Sequence, residues 1–345
     1  MKKKEGSYLV SGRFGYPGVV AGLLGSNLTS KPQMWFYDVN AKVNRTLDAR
    51  NRMFFSLYSG GDHTVFNKLV KGYGMDWGNA TATIRWNHIL NDKTNVNTSA
   101  VFSNYYYKYK SLSDGLRYVW KSNMQSYQLK SDWERYQNNL LTLKGGVNLH
   151  YFTTMPGEVG KSGKDSNITP SEMSRKSLWD AALYAEANYK FLPRFLLNAG
   201  VRLSVLHAPA STYYAAKTFV MPEPRAELSF IPNASHRFSA SYTQAAQSIH
   251  MLTTSSVGIP SDMWMPANAL LKPSVMRQLA LGYEYNFPDK EYTLSLEAYM
   301  RRTNHVVDYR KNADIFQNDR IEDESKPVLP EGVDWNSICQ RIKEP

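Results

Sequence analysis

The segment that decides the fold is Arg277-Gln278-Leu279-Ala280-Leu281-Gly282-Tyr283-Glu284-Tyr285-Asn286-Phe287, in which apolar side chains recur at every second position. The same period appears in residues 292–300 and 179–189. A period of two predicts β-strands, because successive side chains of a strand point to opposite faces of its sheet. In a soluble sheet the polar face meets water. In a membrane barrel the apolar face meets lipid and the polar face lines a wet lumen.

Extending this pattern along the chain predicts an all-β fold, an antiparallel meander of about thirteen strands. Many of these strands exceed the five or six residues that are typical of globular strands and reach the 9–11 that a tilted membrane strand needs. The predicted strands are 6–16, 33–44, 50–60, 75–89, 95–108, 121–134, 139–153, 177–190, 194–207, 217–230, 235–248, 271–287 and 291–306.

The connections between these strands alternate in length. Short turns rich in Asn, Asp, Pro or Lys are predicted near 45–49, 91–94, 137–138, 192–193, 232–234 and 288–290. Longer connections are predicted at 17–32, 61–74, 109–120, 154–176, 208–216 and 249–270. This alternation favours an outer-membrane barrel, with short periplasmic turns and long external loops, over a β-sandwich. Aromatic residues such as Phe191, Phe230 and Phe287 lie beside the short turns, where a periplasmic aromatic girdle is expected.

Composition excludes several other classes of protein. Only 42% of the residues are apolar, the mean hydropathy is −0.48, and no run approaches the roughly 18 apolar residues of a spanning helix. The net charge of +11 comes from Lys and Arg scattered among acids and Asn, so we expect no nucleic-acid partner, which would require a basic stripe. The single cysteine, Cys339, excludes an internal disulfide framework and a cysteine-based metal site.

The sequence contains no convincing catalytic or cofactor motif. Residues 157–162 superficially match a phosphate-binding loop, but Met155 stands where the first glycine of that motif belongs. The seven histidines do not fall at metal-ligand spacing, and neither HExxH nor GxSxG occurs. Acidic pairs such as Asp323 and Glu324 are expected to be solvated loop charges. We therefore expect no enzyme activity, no catalytic residue, no metal and no cofactor.

An ordered set of residues supports a family resemblance. In the first half of the chain, this set consists of Ser11-Gly12-Arg13 and residues 36–44. In the second half, it consists of Pro222-Glu223-Pro224-Arg225, Phe238-Ser239-Ala240-Ser241-Tyr242, Gln247, His250, Pro260, Asp262, Trp264, Pro266, Lys272-Pro273 and residues 278–284. This set resembles the barrel of TonB-dependent outer-membrane receptors. The resemblance covers nearly the whole chain, although no single motif in it identifies the family.

The resemblance also sets expectations about what the chain contains. Such receptors have about 22 strands around a folded plug, whereas this sequence shows no plug, no TonB-binding segment, no closing strand and no secretion signal. Aligned with that family, it begins near the third strand and ends about seven strands early. We expect residues 1–310 to form part of a transmembrane barrel of the outer membrane, unclosed in this fragment. Residues 311–345 are expected to be an extracellular loop or disordered tail.

The connection at 249–270 carries the candidate binding residues. Met263-Trp264-Met265 is an apolar cluster between Asp262 and Pro266, and exposed apolar clusters usually mark contact surfaces. Two hypotheses fit this cluster: it contacts cargo above the lumen, or the loop packs on its own barrel rim through Trp264. The candidate substrate-binding residues are Gln247, His250, Asp262 and Trp264.

The resemblance implies energised uptake of a bulky nutrient, such as a siderophore, cobalamin, haem or an oligosaccharide. The expected partners are outer-membrane lipid, the TonB complex through a plug segment absent from this sequence, and a surface lipoprotein. Two alternatives stay open. One is a passive porin or lipid-uptake channel, and the other is a soluble all-β adhesin or carbohydrate-binding module.

Overall fold

The computed structural model describes residues 5–24, 33–66, 72–111, 117–162, 170–211, 214–252, 263–288, 291–309 and 339–341. In these ranges it contains the helix α1 (Pro17–Leu24) and eighteen strands. The strands are β1 (Gly6–Gly15), β2 (Gln33–Thr46), β3 (Asn51–Phe66), β4 (Tyr73–Asn91), β5 (Thr94–Ser111), β6 (Tyr118–Asn138), β7 (Leu141–Lys161), β8 (Ser171–Glu172), β9 (Lys176–Leu192), β10 (Phe195–Ala208), β11 (Lys217–Asn233), β12 (His236–Gln247), β13 (Ile249–Leu252), β14 (Met263–Pro266), β15 (Ser274–Asn286), β16 (Thr293–Asn304), β17 (Val307–Tyr309) and β18 (Cys339–Arg341).

Thirteen of these strands form one continuous sheet in chain order. The order is β1-β2-β3-β4-β5-β6-β7-β9-β10-β11-β12-β15-β16, with β8 added beside β7. Each neighbouring pair is antiparallel, as in the fourteen-residue register between β10 and β11. The predicted all-β meander of about thirteen strands is therefore confirmed. Among the described helices, none is long and apolar enough to cross a membrane.

The short turns lie at one end of the sheet and are built as predicted. Asn138 Oδ1 accepts hydrogen bonds from the backbone N–H groups of Leu140 and Leu141, both at 2.9 Å. Asn233 Oδ1 accepts in the same way from Ser235 at 3.0 Å and His236 at 3.1 Å. Asparagine satisfies its own turn in this geometry, which allows two-residue connections between long strands.

The strands extend further than predicted at the opposite end of the sheet. The connections predicted at 61–74, 109–120 and 154–176 are partly strand, since β3 reaches Phe66, β6 begins at Tyr118 and β7 reaches Lys161. The connection predicted at 17–32 contains α1, and that at 249–270 contains the hairpin β13–β14. Trp120 of β6 and Val159 of β7, both in these extensions, pack with Met265 and Leu252 in one buried cluster. Their strand structure therefore depends on tertiary contacts.

Apolar side chains occupy one face of the sheet and face outward. Leu281 is 65% exposed and Leu183 is 61% exposed, and other apolar residues at alternate positions of β10, β15 and β16 are similarly uncovered: Leu279, Leu294, Leu296 and Val201. The register pairs Leu281 with Ala240 and Ala298, so this face stays apolar across three strands. So much uncovered apolar surface is expected where lipid replaces water.

Polar side chains occupy the other face and contact one another across strands. Gly146 lies in register between Asp132 and Tyr184. The Tyr184 ring covers this glycine, where an added Cβ would approach its Cε1 to 2.8 Å, and its hydroxyl donates to Asp132 Oδ1 at 2.5 Å. A side chain at position 146 would block this bridge. Arg202, Glu186 and Glu284 also form ion pairs on this face.

Two rows of aromatic rings border the apolar face. Beside the short turns, ring contacts of 4.8–6.3 Å run through Tyr189, Phe191, Phe195, Phe230, Phe238 and Tyr283. This row lies where the sequence predicts a periplasmic girdle. A second row, not foreseen in the sequence, lies toward the other end and contains Phe102, Tyr127, Tyr151 and Trp179. Paired aromatic girdles mark the two interfaces of a transmembrane barrel.

The sheet is not closed. Among the described residues, β1 pairs only with β2 and β16 pairs only with β15. Most of the predicted tail, 311–345, lies outside the described residues. The part that is described, β18, pairs antiparallel with β17 through Val307↔Arg341, Asp308↔Gln340 and Tyr309↔Cys339.

Replacing Val201 by Arg tests the assignment of the outward face. Val201 lies on the apolar face of β10, between its two aromatic girdles, and Arg there should cost about 2–4 kcal/mol of folding free energy in a bilayer. The matched variant Asn198→Arg places the same side chain on the polar face of the same strand and should cost much less. Urea unfolding in phospholipid vesicles measures both. Equal costs would contradict the assignment.

Candidate functional site

The hairpin β13–β14 lies on the connection between β12 and β15 and has two distinct faces. Its register pairs Ile249 with Pro266, His250 with Met265, and Met251 with Trp264. Directly opposed residues of an antiparallel pair share a face of the ladder. His250 and Met265 are 4% and 0% exposed, whereas Met251 is 46% exposed. The hairpin therefore has one buried face and one accessible face.

The buried face packs against the far wall of the sheet. Met265 and Leu252 join a buried cluster with Tyr107, Trp120 and Val159, which belong to β5, β6 and β7. Three strands (β9, β10 and β11) separate β7 from β12 in the sheet. The hairpin thus crosses the polar, concave side of the sheet near the end that carries the long connections. This position places it over the mouth of the lumen.

The accessible face pairs Trp264 with Met251. Trp264 is half-buried and lies on the opposite side of the hairpin from Met265. Leu252 and Met265, on the opposite face from Trp264, contact the barrel wall. Trp264 and Met251 together offer an apolar patch above the lumen.

The structure places three of the four predicted binding residues around this hairpin. Gln247 is exposed at the end of β12 and donates from Nε2 to the Ile249 carbonyl at 2.7 Å, so it braces the base of the hairpin. His250 and Trp264 lie within the hairpin on opposite faces. Asp262 lies outside the described residues. The alternating pattern in the sequence does not indicate that Tyr107 and Trp120 pack against this hairpin, because only the fold brings them beneath it.

His250 is held in one tautomer by its surroundings. A ring N–H hydrogen-bonds to the backbone of Lys272, while burial lowers the pKa of His250 below its ordinary value. Its Nε2 atom is buried and has no hydrogen-bond partner within the described part of the chain. The donating nitrogen is therefore Nδ1, and Nε2 carries a free lone pair inside the hairpin.

Ion pairs line the concave face below the hairpin on β9–β12 and β15. Arg237 reaches Glu227 at 2.9 Å and Glu284 at 3.7 Å, joining three strands. Arg225 reaches Glu186 at 2.7 Å. Charges in this arrangement need the polarity of a water-filled or protein-filled lumen, because an unscreened charge facing lipid would be costly.

The concave face of β2–β4 has a different charge balance. Here Lys42, Arg52 and Arg85 lie in or beside a hollow of about 650 Å³, and Arg85 stacks on Phe54 with 4.4 Å between its guanidinium carbon and the ring centroid. Lys130 and Asp132 also line the hollow and pair with each other at 2.9 Å, whereas no described carboxylate forms an ion pair with Lys42, Arg52 or Arg85. The alternating pattern in the sequence places Lys42, Arg52 and Arg85 on the concave face, but only the strand register brings the three side chains close together.

Together these features define the class of protein. An antiparallel meander with an apolar girdled exterior and an ion-paired interior is the wall of a transmembrane β-barrel of the outer membrane. Residues 22–326 match the family described as TonB dependent receptor-like, beta-barrel. The chain belongs to the TonB-dependent receptor family, whose members are outer-membrane receptors and transporters rather than enzymes. Comparison with curated protein sequences gives no match.

Solved structures of receptors share the fold. BauA, the ferric preacinetobactin receptor from Acinetobacter baumannii, is 12% identical, with a TM-score of 0.62 over 87% of this chain and 50% of the receptor. The FrpB iron transporter from Neisseria meningitidis is 12% identical, with a TM-score of 0.62 over 89% and 52%. The copper transporter OprC is 13% identical, with a TM-score of 0.63 over 88% and 50%. The chain thus spans about half the length of these receptors.

Truncating Leu252 tests whether the hairpin is docked on the wall. Leu252→Ala removes buried contacts with the cluster and should lower the free energy of local opening by about 2–5 kcal/mol. Leu270→Ala is the matched control, because Leu270 is largely exposed on the same connection. Hydrogen exchange of residues 249–266 in detergent reports the opening. Equal protection in both variants would show that the hairpin is not held by this contact.

Proposed function

We propose that this chain is part of the barrel wall of a receptor that takes up a scarce, bulky nutrient using energy relayed by TonB. The observation that carries the proposal is the hairpin β13–β14, which crosses the mouth of a polar lumen and presents Met251 and Trp264 away from the wall. An accessible apolar patch at the mouth suits binding of a large ligand better than free passage of small solutes. A receptor needs a surface there that holds cargo before it enters.

The cargo is proposed to contact the accessible face of the hairpin. Trp264 and Met251 form an apolar patch, which suits the hydrophobic part of a large ligand. Gln247 at the base offers an amide group, and Asp262, which directly precedes β14 in the sequence, is proposed to add a carboxylate. Among the similar structures, the named cargoes are a ferric siderophore, iron and copper, which favours a metal complex. Cobalamin, haem and oligosaccharides remain alternative cargoes.

The concave hollow is proposed to face a plug segment of the receptor. Lys42, Arg52 and Arg85 lie at one side of the hollow and form no ion pair with a described carboxylate, since Asp132, which also lines it, pairs with Lys130. Acidic side chains of a folded plug would neutralise these cations, as the Arg237 ion pairs do on the other wall. TonB would then act on the barrel through that plug. We further propose that 311–345 lies on the outer side, where a surface lipoprotein is a candidate partner.

A growth assay tests the proposed function. The full-length receptor that carries this barrel is expressed in its host with and without TonB, and growth is measured on limiting ferric siderophore, haem, cobalamin, copper or oligosaccharide in separate arms. Growth on one of these nutrients should require both the receptor and TonB. Uptake that is independent of TonB and linear in nutrient concentration would instead identify a passive channel.

Substitution of Trp264 tests the proposed contact residue in the same assay. Trp264→Ala should raise the nutrient concentration needed for half-maximal growth about tenfold, which corresponds to losing roughly 1.4 kcal/mol of binding free energy. Trp133→Ala is the matched control, because Trp133 is exposed on the lipid-facing side of β6. Equal effects of the two variants at equal surface expression would show that Trp264 does not contact the nutrient.

A further inference from the structure

Three side chains with soft donor atoms lie on or beside the buried face of the hairpin. His250 and Met265 are directly opposed in the β13–β14 ladder, so their side chains project to the same side. Met173 is 1% exposed and belongs to the same buried cluster as Met265. Its backbone N–H donates to the Gly157 carbonyl at 2.9 Å, which fixes it beside β7. One imidazole and two thioethers are thus buried in one small region.

The imidazole is oriented as a ligand would be. With Nδ1–H donating to the Lys272 backbone, the lone pair of Nε2 is buried and has no partner among the described residues. A buried acceptor left unsatisfied costs about 1–3 kcal/mol. Metal-binding histidines commonly donate their other ring N–H to a carbonyl or carboxylate, which fixes the tautomer and the ring. His250 has this second contact already in place.

The donor set determines which cation would fit. Thioether and imidazole ligands favour soft, late first-row metals, and Cu(I) in particular, whereas Mg²⁺ and Ca²⁺ require oxygen ligands. Among the described residues, no Asp or Glu side chain is buried. Within the described ranges, no group of three His, Cys, Asp or Glu residues is arranged to hold a metal, so a conventional zinc site is not offered either.

We propose that His250 Nε2 and the sulfur atoms of Met265 and Met173 form a binding site for Cu(I). The cation would satisfy the orphaned lone pair and link the hairpin to the β7–β9 connection. It would therefore fasten the hairpin across the lumen. The site lies on the opposite face from the Met251–Trp264 patch, and its occupancy does not depend on the proposed function.

Titration with Cu(I) tests the site. The chain is purified in detergent and titrated anaerobically against a chromophoric Cu(I) chelator. The expected stoichiometry is one Cu(I) per chain. Met265→Leu preserves side-chain volume, and His250→Gln retains a polar donor; each should weaken Cu(I) binding at least tenfold. The matched controls His236→Gln and Met300→Leu change the same residue types on the lipid-facing side and should bind as the unsubstituted chain does.

Two further readouts separate a site from a folding defect. X-ray absorption of the loaded chain should show one nitrogen and two sulfur scatterers around copper. Hydrogen exchange of 249–266 should slow when Cu(I) is added to the unsubstituted chain and should not respond in Met265→Leu. Absence of stoichiometric binding, equal losses in the controls, or an oxygen-only coordination shell would each overturn the proposal. None of these results depends on cargo or TonB, so uptake and copper binding can fail separately.

Discussion

The structure depends on the requirement that every backbone N–H and C=O in a lipid phase be paired inside the protein. In hydrocarbon each unsatisfied group costs several kcal/mol, so a spanning sheet needs an unbroken antiparallel ladder. The ladder from β1 to β16 meets this requirement for the strands in its interior. Two-residue turns closed by Asn138 and Asn233 keep neighbouring strands in register. The same requirement would stabilise further strands that paired with β1 or β16, the two edges of the described sheet.

Once the ladder is fixed, the period of two decides what each face contacts. Leu281 faces lipid, and its neighbour Gly282 faces the lumen beside Ser239. Side chains that would be buried in a soluble sheet are uncovered here, and charges that would be exposed form ion pairs inside. Arg237 illustrates the second effect, since its guanidinium holds two carboxylates on adjacent strands. The outward face therefore needs only to be apolar, whereas the inward face carries specific polar contacts and ion pairs.

Local pattern was sufficient to predict the strands, their antiparallel order and the apolar face, because these depend on alternation and turn residues near in sequence. It was not sufficient for the outer wall. The alternating pattern predicts Trp120 in a connection and Tyr107 near the end of a strand, and it does not indicate that both pack in one buried cluster with Met265, which lies far along the chain. Gln247, His250 and Trp264 lie at or in the hairpin. Their division between two faces of a hairpin required the β13–β14 register.

The accessibility of successive positions on β15 tests the central claim directly. Nitroxide side chains are introduced singly at Gln278, Leu279, Ala280, Leu281, Gly282 and Tyr283, and the protein is reconstituted in vesicles. Collisions with oxygen, which concentrates in lipid, are compared with collisions with a water-soluble nickel complex. The account predicts that 279, 281 and 283 favour oxygen and that 278, 280 and 282 favour nickel, alternating without exception. Accessibility that does not alternate, or alternates with the opposite phase, would contradict a lipid-facing β-barrel wall.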